Sequence, residues 1–276
     1  MSTVSDLRKT DTEPSGAGRD CLEHAYGPRV RILSNPLLDT LIARLSTPGT
    51  PLREITSGVR SVYEALILEA ARDFPRCQRE IPTRMAEAHP QEGVLRGEFL
   101  DPAMRVVIVD VVRAGILPAQ VCFERLASVL PDDCLRLDHL TMARVSDETG
   151  HVTHVDLSGS KIGGTVEGAT LVVPDPMGAT GSTLVRAVEH YRKHHGNPAR
   201  VIALPMIVTP EFLRRGLDTI DELVVHAGRL DRGLSDPDVL ATPPGTHWDR
   251  ERGLNDNDYI VPGAGGMGEL LNNSWC

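Results

Sequence analysis

The segment that most restricts the fold is LVVPDPMGATGST, residues 171–183. It combines an apolar strand that ends in an acid, a loop of small residues, and the start of a helix. Continuous apolar and β-branched residues are typical of a strand buried on both faces of a parallel sheet, and MRVVIVDV at 104–111 has the same character. Because parallel strands need crossover connections that are usually helices, these segments favour an α/β fold with a mostly parallel sheet.

The rest of the chain alternates between helical and strand-like patterns. Apolar residues at three-to-four spacing predict helices, and short apolar runs predict strands. The predicted helices cover 35–45, 55–73, 118–130, 182–194 and 210–217, and the predicted strands cover 104–111, 135–142, 169–173, 200–208 and 223–226. Residues 77–100 have no clear pattern. Ligands of such sheets bind at the carboxyl ends of the strands.

Composition and charge exclude several classes of function. The chain carries 29 basic and 38 acidic residues, for a net charge of −9, and only 4% aromatic residues. Such a surface repels a phosphate backbone and has few rings for base stacking, so no nucleic-acid partner is expected. No apolar stretch approaches the ~20 residues of a membrane helix, and the first 20 residues lack a signal-peptide core. Five cysteines without a CxxC pair argue against a disulfide framework. We expect a cytoplasmic protein with no membrane partner.

The chain is predicted to form one domain over residues 21–276. Residues 1–20 are polar and are predicted to be a disordered tail. Residues 144–168 are polar and glycine-rich, with alternating apolar positions, and are predicted to form an exposed hairpin or arm. Residues 233–252 are rich in proline, aspartate and glycine and are predicted to be an inserted loop.

The loop that follows Asp175 has the chemistry of an anion cradle. Glycine and alanine let the backbone approach a phosphate closely, and successive N–H groups at a helix N-terminus offer positive partial charge. Thr180, Ser182 and Thr183 add hydroxyl donors. No lysine follows the second glycine, so the loop is not a Walker A motif and favours a monophosphate. Asp175 lies where it can accept hydrogen bonds from sugar hydroxyls.

These residues resemble the phosphoribosyl diphosphate (PRPP) loop of the type I phosphoribosyltransferases. The sequence 175–181, DPMGATG, is similar to that of the uracil phosphoribosyltransferases in particular. In the same order, VRAG at 112–115 resembles that family's pyrophosphate loop, and MAR at 142–144 resembles the start of its flexible loop. Residues 253–276 resemble its C-terminal hood, which binds the base. The resemblance implies the type I phosphoribosyltransferase fold, a parallel sheet flanked by helices with an arm and a hood.

The resemblance also implies a set of site residues. Arg113 and Arg144 would contact the diphosphate, for which the guanidinium fork is suited, and Asp175 would join them as a catalytic residue. The implied PRPP-binding residues are Arg113, Ala114, Gly115, Arg144, Asp175, Pro176, Met177, Gly178, Ala179, Thr180, Gly181, Ser182, Thr183 and Gly266. The implied uracil-binding residues are Ile260, Gly265, Gly266 and Met267, which would read the base mostly through backbone groups.

The implied reaction is uracil plus PRPP giving UMP and diphosphate, a step of pyrimidine salvage. Mg²⁺ is expected as a cofactor bound mainly through PRPP, with no protein residue as a metal ligand. Members of the family form dimers or larger assemblies and some respond to GTP. A homo-oligomer and GTP as an effector are therefore expectations of the resemblance alone.

The chain departs from the family pattern at three places. Gly266-Met267 stands where the family has an acid followed by alanine, Asp258 stands where glycine is common, and the insertion at 233–252 precedes the hood. Two alternatives therefore stay open. The enzyme could use another or a modified base, or the chain could be a catalytically weak homologue that senses PRPP or a nucleotide.

Two other patterns are given ordinary interpretations. Residues 263–268 fit the dinucleotide-binding pattern GxGxxG, but only eight residues follow Gly268. That is too short for the helix and returning strand of a ~30-residue βαβ unit. The histidines at 190, 194 and 195 lie at the end of a polar helix and are interpreted as a solvated helix terminus rather than a metal site.

Overall fold

A computed structural model describes residues 21–146 and 152–275, with the backbone alone for 143–146 and 152–156. The predicted tail at 1–20 and the centre of the predicted arm lie outside the described residues. Arg144 is therefore known here by its backbone position only.

Helices and strands alternate along most of the chain. In chain order they are β1 (Val30–Ile32), α1 (Pro36–Leu45), α2 (Leu52–Ala70), β2 (Arg76–Pro82), β3 (Val94–Leu100), β4 (Val106–Val112), α3 (Ile116–Ala127), β5 (Leu135–Ser146), β6 (Val152–Lys161), β7 (Thr170–Val173), β8 (Met177–Gly178), α4 (Ser182–His194), β9 (Arg200–Ala203), β10 (Ile207–Val208), α5 (Pro210–Thr219), β11 (Leu223–Ala227), β12 (Arg229–Leu230), α6 (Pro237–Leu240) and α7 (Met267–Asn272). None of the helices in the described ranges is long and apolar enough to cross a membrane.

The main sheet has seven strands in the order β1-β11-β9-β7-β4-β5-β6. All neighbours are parallel except β5 and β6, which form an antiparallel hairpin at one edge. The predicted α/β fold with a mostly parallel sheet is confirmed. The carboxyl ends of β4 and β7 are adjacent, and the loops that follow them carry the two motifs identified in the sequence.

The central strand β4 is buried on both faces. Val106 and Ile108 belong to the apolar core formed with α1, α2 and α3, whereas Val107, Val109 and Val111 belong to the core formed with α4 and α5. The sheet is therefore flanked by helices on both sides, as the continuous apolar sequence of the strand predicts.

Local signals set the starts of three helices. The Asn35 side chain accepts hydrogen bonds from the backbone N–H groups of Leu37 and Leu38 at the start of α1. Thr209 caps α5 in the same way, by accepting from Phe212 N. Gly181 precedes α4 with a φ of 75°, a left-handed conformation that favours glycine. The helix predicted over 182–194 is observed with those bounds.

Three segments differ from the prediction. Residues 77–100, which had no clear pattern, belong largely to the antiparallel hairpin of β2 and β3, whose side chains are mostly exposed. A strand without a buried face lacks the alternation that marks it in a sequence. The single strand predicted over 200–208 is two strands, β9 and β10, and β10 pairs with β8 and β12 in a second small sheet. The hairpin predicted to reach residue 168 ends at Lys161, and Val166 beyond it is fully buried.

The insertion at 233–252 packs against the body of the protein. The Glu251 carboxylate, 2% exposed, pairs with Arg232 at 2.9 Å and accepts a hydrogen bond from the Tyr26 hydroxyl. The rings of Tyr26 and Trp248 lie 5.0 Å apart. Burial and the neighbouring Glu251 carboxylate raise the pKa of Tyr26. The insertion is thus anchored by a buried polar network.

Candidate active site

A cleft of about 350 Å³ lies at the carboxyl ends of β4 and β7. Three segments surround it: the loop after β4, the loop after β7, and the C-terminal segment that includes α7. It is lined by Val111, Val112, Arg113, Ala114, Met142, Asp175, Met177, Ala179, Thr183, Asp258, Tyr259, Ile260, Gly265, Gly266, Met267, Gly268 and Glu269. Segments more than 150 residues apart in the chain therefore share one cavity.

The loop after β4 carries the first predicted anion-binding residue. Arg113 points across the cleft, where its Nη2 donates to Glu269 Oε1 at 3.3 Å and its Nη1 donates to the Ser274 carbonyl at 3.2 Å. Gly115 ends the loop and caps α3. A Cβ on Gly115 would lie 2.8 Å from the backbone N and O of Val111, so only glycine fits this turn.

The loop after β7, residues 174–181, has the geometry of the predicted cradle. Asp175 faces the cleft, and its Oδ1 accepts from the backbone N–H of Met177 at 3.4 Å. The Thr180 hydroxyl donates to Ser182 Oγ at 3.0 Å. A small hollow of about 20 Å³ adjoins the cleft here and is lined in part by Thr180, Gly181 and Thr183, at the N-terminus of α4.

Three predicted cradle residues, Pro176, Gly178 and Ser182, line neither the cleft nor the adjoining hollow, and the same holds for Gly115. The Pro176 carbonyl accepts from Ile207 N at 3.0 Å, and a Cβ on Gly178 would lie 2.9 Å from Pro205 Cβ. The hydrogen bond to Ile207 joins the cradle to β10 of the second small sheet, and the space beside Gly178 is too narrow for a side chain. Ser182 lies behind Thr180, where its hydroxyl contacts the Arg215 guanidinium. Direct PRPP contacts by these residues stay predictions.

The predicted base-binding residues form one wall of the cleft. Ile260 and Met267 are buried. Gly265 has a φ of 73°, and a Cβ at this position would meet no other atom within 4 Å, so backbone conformation explains the glycine. A Cβ on Gly266 would lie 2.2 Å from Glu269 Oε2. The Glu269 carboxylate therefore fills the space that a side chain at 266 would need.

The prediction from sequence missed two charged residues at the site. Glu269 lies three residues after Gly266, one helical turn away, and this spacing could have identified it. Arg215 reaches the N-terminus of α4 from α5 and has no local signal in the sequence, because only helix packing brings it to Ser182.

Arg144 lies on β5 opposite Val155 of β6, and its side chain is outside the described residues. Met142, two residues earlier, lines the cleft. The arm that carries Arg144 thus starts at the cleft. Whether Arg144 contacts a ligand stays a prediction.

A buried tyrosine lies on the inner side of the cradle. Tyr63 of α2 is fully buried, and its hydroxyl donates to the Leu204 carbonyl at 3.0 Å. Burial, and then the negative charge of Asp175, raise the pKa of Tyr63 well above its usual value. The Tyr63 hydroxyl therefore stays protonated near neutral pH and holds the Leu204 carbonyl.

The cleft carries two features whose chemistry suits anionic groups. Backbone N–H groups and hydroxyls at the start of α4 suit one phosphate, and the Arg113 guanidinium suits a second. The wall formed by residues 260–267 lies in the same cavity and offers mostly backbone groups.

A family model described as uracil phosphoribosyltransferase matches residues 32–250. The chain belongs to the uracil phosphoribosyltransferase family. Curated members include the uracil phosphoribosyltransferase of Pyrobaculum islandicum, 30% identical with 87% of this chain and 97% of that protein covered. The Nicotiana tabacum uracil phosphoribosyltransferase is 26% identical, with 85% and 89% covered. The resemblance found in the motifs is confirmed at the level of the family.

A solved structure supports the fold. The AQ2163 protein from Aquifex aeolicus superimposes with a TM-score of 0.66 at 24% identity, covering 88% of this chain and 97% of that chain. The family match ends at residue 250, before the C-terminal wall of the cleft. The segment predicted to bind the base therefore lies outside the region that the family model matches.

Proposed function

We propose that the protein transfers the phosphoribosyl group of PRPP to N1 of uracil, giving UMP and diphosphate. One observation carries the proposal: a single cleft contains Arg113, the cradle that begins at Asp175, and the glycine-rich wall at 260–267. These three parts correspond to the diphosphate, the ribose 5-phosphate and the base. The curated relatives that match most of the chain are named uracil phosphoribosyltransferases.

The cradle anchors the 5′-phosphate. Backbone N–H groups at the N-terminus of α4 and the hydroxyls of Thr180 and Thr183 provide donors. The cradle itself contains no lysine or arginine, and Arg215, in contact with Ser182, supplies positive charge from α5.

This role of Arg215 leads to a prediction with a matched control. Arg215→Gln should raise the KM for PRPP about tenfold, since one charge-assisted phosphate contact contributes roughly 1.4 kcal/mol or more. The neighbouring Arg214 contacts the Trp248 carbonyl instead, so Arg214→Gln should leave that KM unchanged. Initial-rate kinetics at varied PRPP measure both. Equal values of KM for the two variants would remove Arg215 from the phosphate site.

The chemistry requires positioning and charge stabilisation rather than a protein nucleophile. The bond from ribose C1′ to the diphosphate oxygen breaks, and N1 of uracil forms the new bond to C1′ as its proton passes to solvent. Arg113 stabilises the charge that develops on the departing diphosphate, with Arg144 of the arm as the second arginine. Asp175 holds the ribose hydroxyls. The arm excludes water from the ribosyl cation when it closes.

Mg²⁺ fits this donor set as an ion that PRPP carries. Mg²⁺ keeps several waters and binds substrate phosphates with one or two protein carboxylates. Within the described ranges no three acidic, histidine or cysteine side chains are grouped to hold a metal, and Asp175 is the carboxylate placed beside the cradle. When bound, Mg²⁺ neutralises charge on the diphosphate. A homo-oligomer and GTP as an effector are proposed on the family resemblance only. The cytoplasmic location expected from the sequence stays a prediction.

A second candidate is transfer to another base. The Glu269 carboxylate lies at the wall of the cleft that would contact the base, and a carboxylate accepts hydrogen bonds only. It would suit a base with an extra N–H donor. The third possibility, a sensor that binds PRPP without turnover, shares the phosphate half of the site.

One experiment tests the proposal and separates these candidates. The protein is incubated with PRPP, Mg²⁺ and one base of a panel, and the nucleotide is identified by chromatography. UMP from uracil, with no product from cytosine, supports the proposal. Product from a different base reassigns the wall at 260–267. PRPP binding without any product identifies a sensor, and no PRPP binding overturns the proposal.

A further inference from the structure

Asp110 is a buried charged residue that the proposed reaction does not use. It is the one polar residue of β4, VVIVDVV, and is 2% exposed. Its Oδ2 lies 2.7 Å from Nδ1 of His139 on β5. Its Oδ1 is also buried and has no hydrogen-bond partner among the described residues. Burying a carboxylate is costly unless it is paired, so its presence in the central strand calls for a role beyond packing.

The strand register places this carboxylate in a row of polar side chains. Asp110 pairs directly with His139 across β4 and β5, and His139 pairs with Lys161 across β5 and β6. Directly paired residues project from the same face of a sheet. The row thus runs from a buried carboxylate through a half-exposed imidazole to the exposed Lys161 at the edge strand.

The helix α3 covers this face and adds no competing charge. Its charged side chains are engaged elsewhere: Glu124 accepts a hydrogen bond from Gln120, and Arg125 pairs with Glu64 of α2. Burial raises the pKa of Asp110, and the hydrogen bond from His139 opposes that change. His139 is thus the side chain that hydrogen-bonds to the buried carboxylate.

Asp110 and His139 lie next to both arginine-bearing segments. Oδ1 of Asp110 would be 3.1 Å from a Cβ on Gly115, so the carboxylate lies directly beneath the loop at 112–115. β4 leads from Asp110 into Arg113 within three residues, and β5 leads from His139 into the arm and Arg144 within five. The pair joins the two strands just before they separate into these segments.

We propose that Asp110 and His139 are positioning residues that fix the loop at 112–115 against β5 for binding the diphosphate of PRPP. The inference rests on the proposed function of the cleft. The hydrogen bond between Asp110 and His139 holds the end of β4 against β5, so the loop that begins two residues later leaves the sheet from a fixed position. Loss of the pair loosens Arg113 and weakens PRPP binding, while the cradle and the base wall stay in place.

The test compares variants of the pair in steady-state kinetics with PRPP and the accepted base. Asp110→Asn and His139→Leu should each raise the KM for PRPP about five- to tenfold, the effect of losing one coupled interaction. The KM for the base should stay within about twofold, because the wall at 260–267 does not depend on the pair. His139→Asn, which keeps a donor near the position of Nδ1, should restore the KM. The double variant Asp110→Asn with His139→Leu should be no worse than either single variant, because the two side chains act as one unit.

A second pair provides a matched control. His226 Nε2 lies 2.7 Å from Asp73 Oδ2, and neither residue lines the cleft. Asp73→Asn should lower the melting temperature without changing the KM for PRPP. If Asp110→Asn behaves like Asp73→Asn, or raises the KM for the base as much as the KM for PRPP, the positioning role is wrong. If Asp110→Asn does not fold, the half-exposed His139 variants decide the question.

Parent protein that neither binds PRPP nor forms product overturns the proposed function itself, whereas an active parent with unaffected variants overturns only the role of the pair.

Discussion

At the scale of single residues, the cleft is marked by a few charges that different segments bring to it. Arg113 and Asp175 were predicted from motifs, and both face the same cleft. Glu269 was not predicted, although it contacts Arg113 and fills the space beside Gly266. The motifs identify residues through their similarity to the family pattern. They do not identify a residue such as Glu269, which reaches Arg113 only through the tertiary structure of this chain.

The first residue-scale prediction concerns the two predicted charges. Arg113→Ala and Asp175→Asn should each lower kcat/KM by roughly 10²–10³, the usual cost of removing a charge contact that stabilises a transition state. Arg125→Ala, at the far end of α3 where Arg125 pairs with Glu64, serves as a control and should stay near the parent value. Steady-state kinetics measure all three. A loss below threefold for either site variant would show that its residue lies outside the reaction.

The second concerns Gly266, where the family pattern has an acid. In Gly266→Asp the new Cβ would displace the Glu269 carboxylate and place two negative charges beside the diphosphate site. PRPP binding should weaken about tenfold, since like charges in contact are repulsive. Calorimetric titration with PRPP and Mg²⁺ measures this. The double variant Gly266→Asp with Glu269→Gln should recover most of the affinity, and Gly266→Ala separates the steric effect from the charge. Unchanged binding by Gly266→Asp alone would contradict this account of Glu269.

At the scale of elements, the inserted segment at 233–252 is held by a buried network rather than by regular structure. It contains only the short helix α6, and Glu251 connects it to Arg232 and Tyr26. Composition marked the segment as a loop but could not show that it packs. Proline and glycine content reports local backbone conformation, whereas burial depends on partners far away in the sequence.

This network leads to the element-scale prediction. Glu251→Ala should lower the free energy of unfolding by about 3–5 kcal/mol, because it removes the carboxylate that balances the largely buried Arg232 guanidinium in this network. Asp238 of the same insertion pairs with Arg250 at the surface, and Asp238→Ala should cause no measurable change. Urea denaturation followed by circular dichroism measures both variants. Equal stability of Glu251→Ala and the parent would mean that the insertion does not contribute to the folded core.

At the scale of the whole molecule, one buried histidine couples stability to pH. His226 of β11 is fully buried and hydrogen-bonded to Asp73 at the end of α2. Burial lowers the pKa of His226, and Asp73 opposes the change. The folded protein therefore binds this proton at lower pH than the unfolded chain does, so the group favours folding above its unfolded pKa of about 6.5. That stability is lost as the pH falls below this value.

The whole-molecule prediction follows from that sign. Between pH 7.5 and pH 5.5, the free energy of unfolding should fall with a slope of up to about 1.4 kcal/mol per pH unit from this group. His226→Gln, which keeps an N–H donor near the position of Nε2, should flatten the curve. His89→Gln, at an exposed position, should leave it unchanged. Denaturation at a series of pH values tests this, and parallel curves for parent and His226→Gln would contradict it.

The sequence alone determined the α/β class and most helix positions. It also identified Arg113 and the residues of the cradle as candidates for the site. These features depend on periodicity, caps and loop composition, which neighbouring residues specify. The exposed hairpin of β2 and β3 was not predicted, since neither of its strands has a strongly buried face to impose alternation. The division of 200–208 into β9 and β10 was not predicted either, because both parts are equally apolar and only strand pairing separates them.

The tertiary structure alone decided which side chains meet. It brought Glu269 to Arg113, Arg215 to Ser182, and His139 to Asp110, over separations of 156, 33 and 29 residues. Such contacts arise from the order of strands in the sheet and the packing of helices on it. Local sequence carries information on backbone conformation and on which face is apolar, but not on which distant charge will lie within hydrogen-bond distance. The motifs therefore located the site, and the fold determined how its charges are balanced.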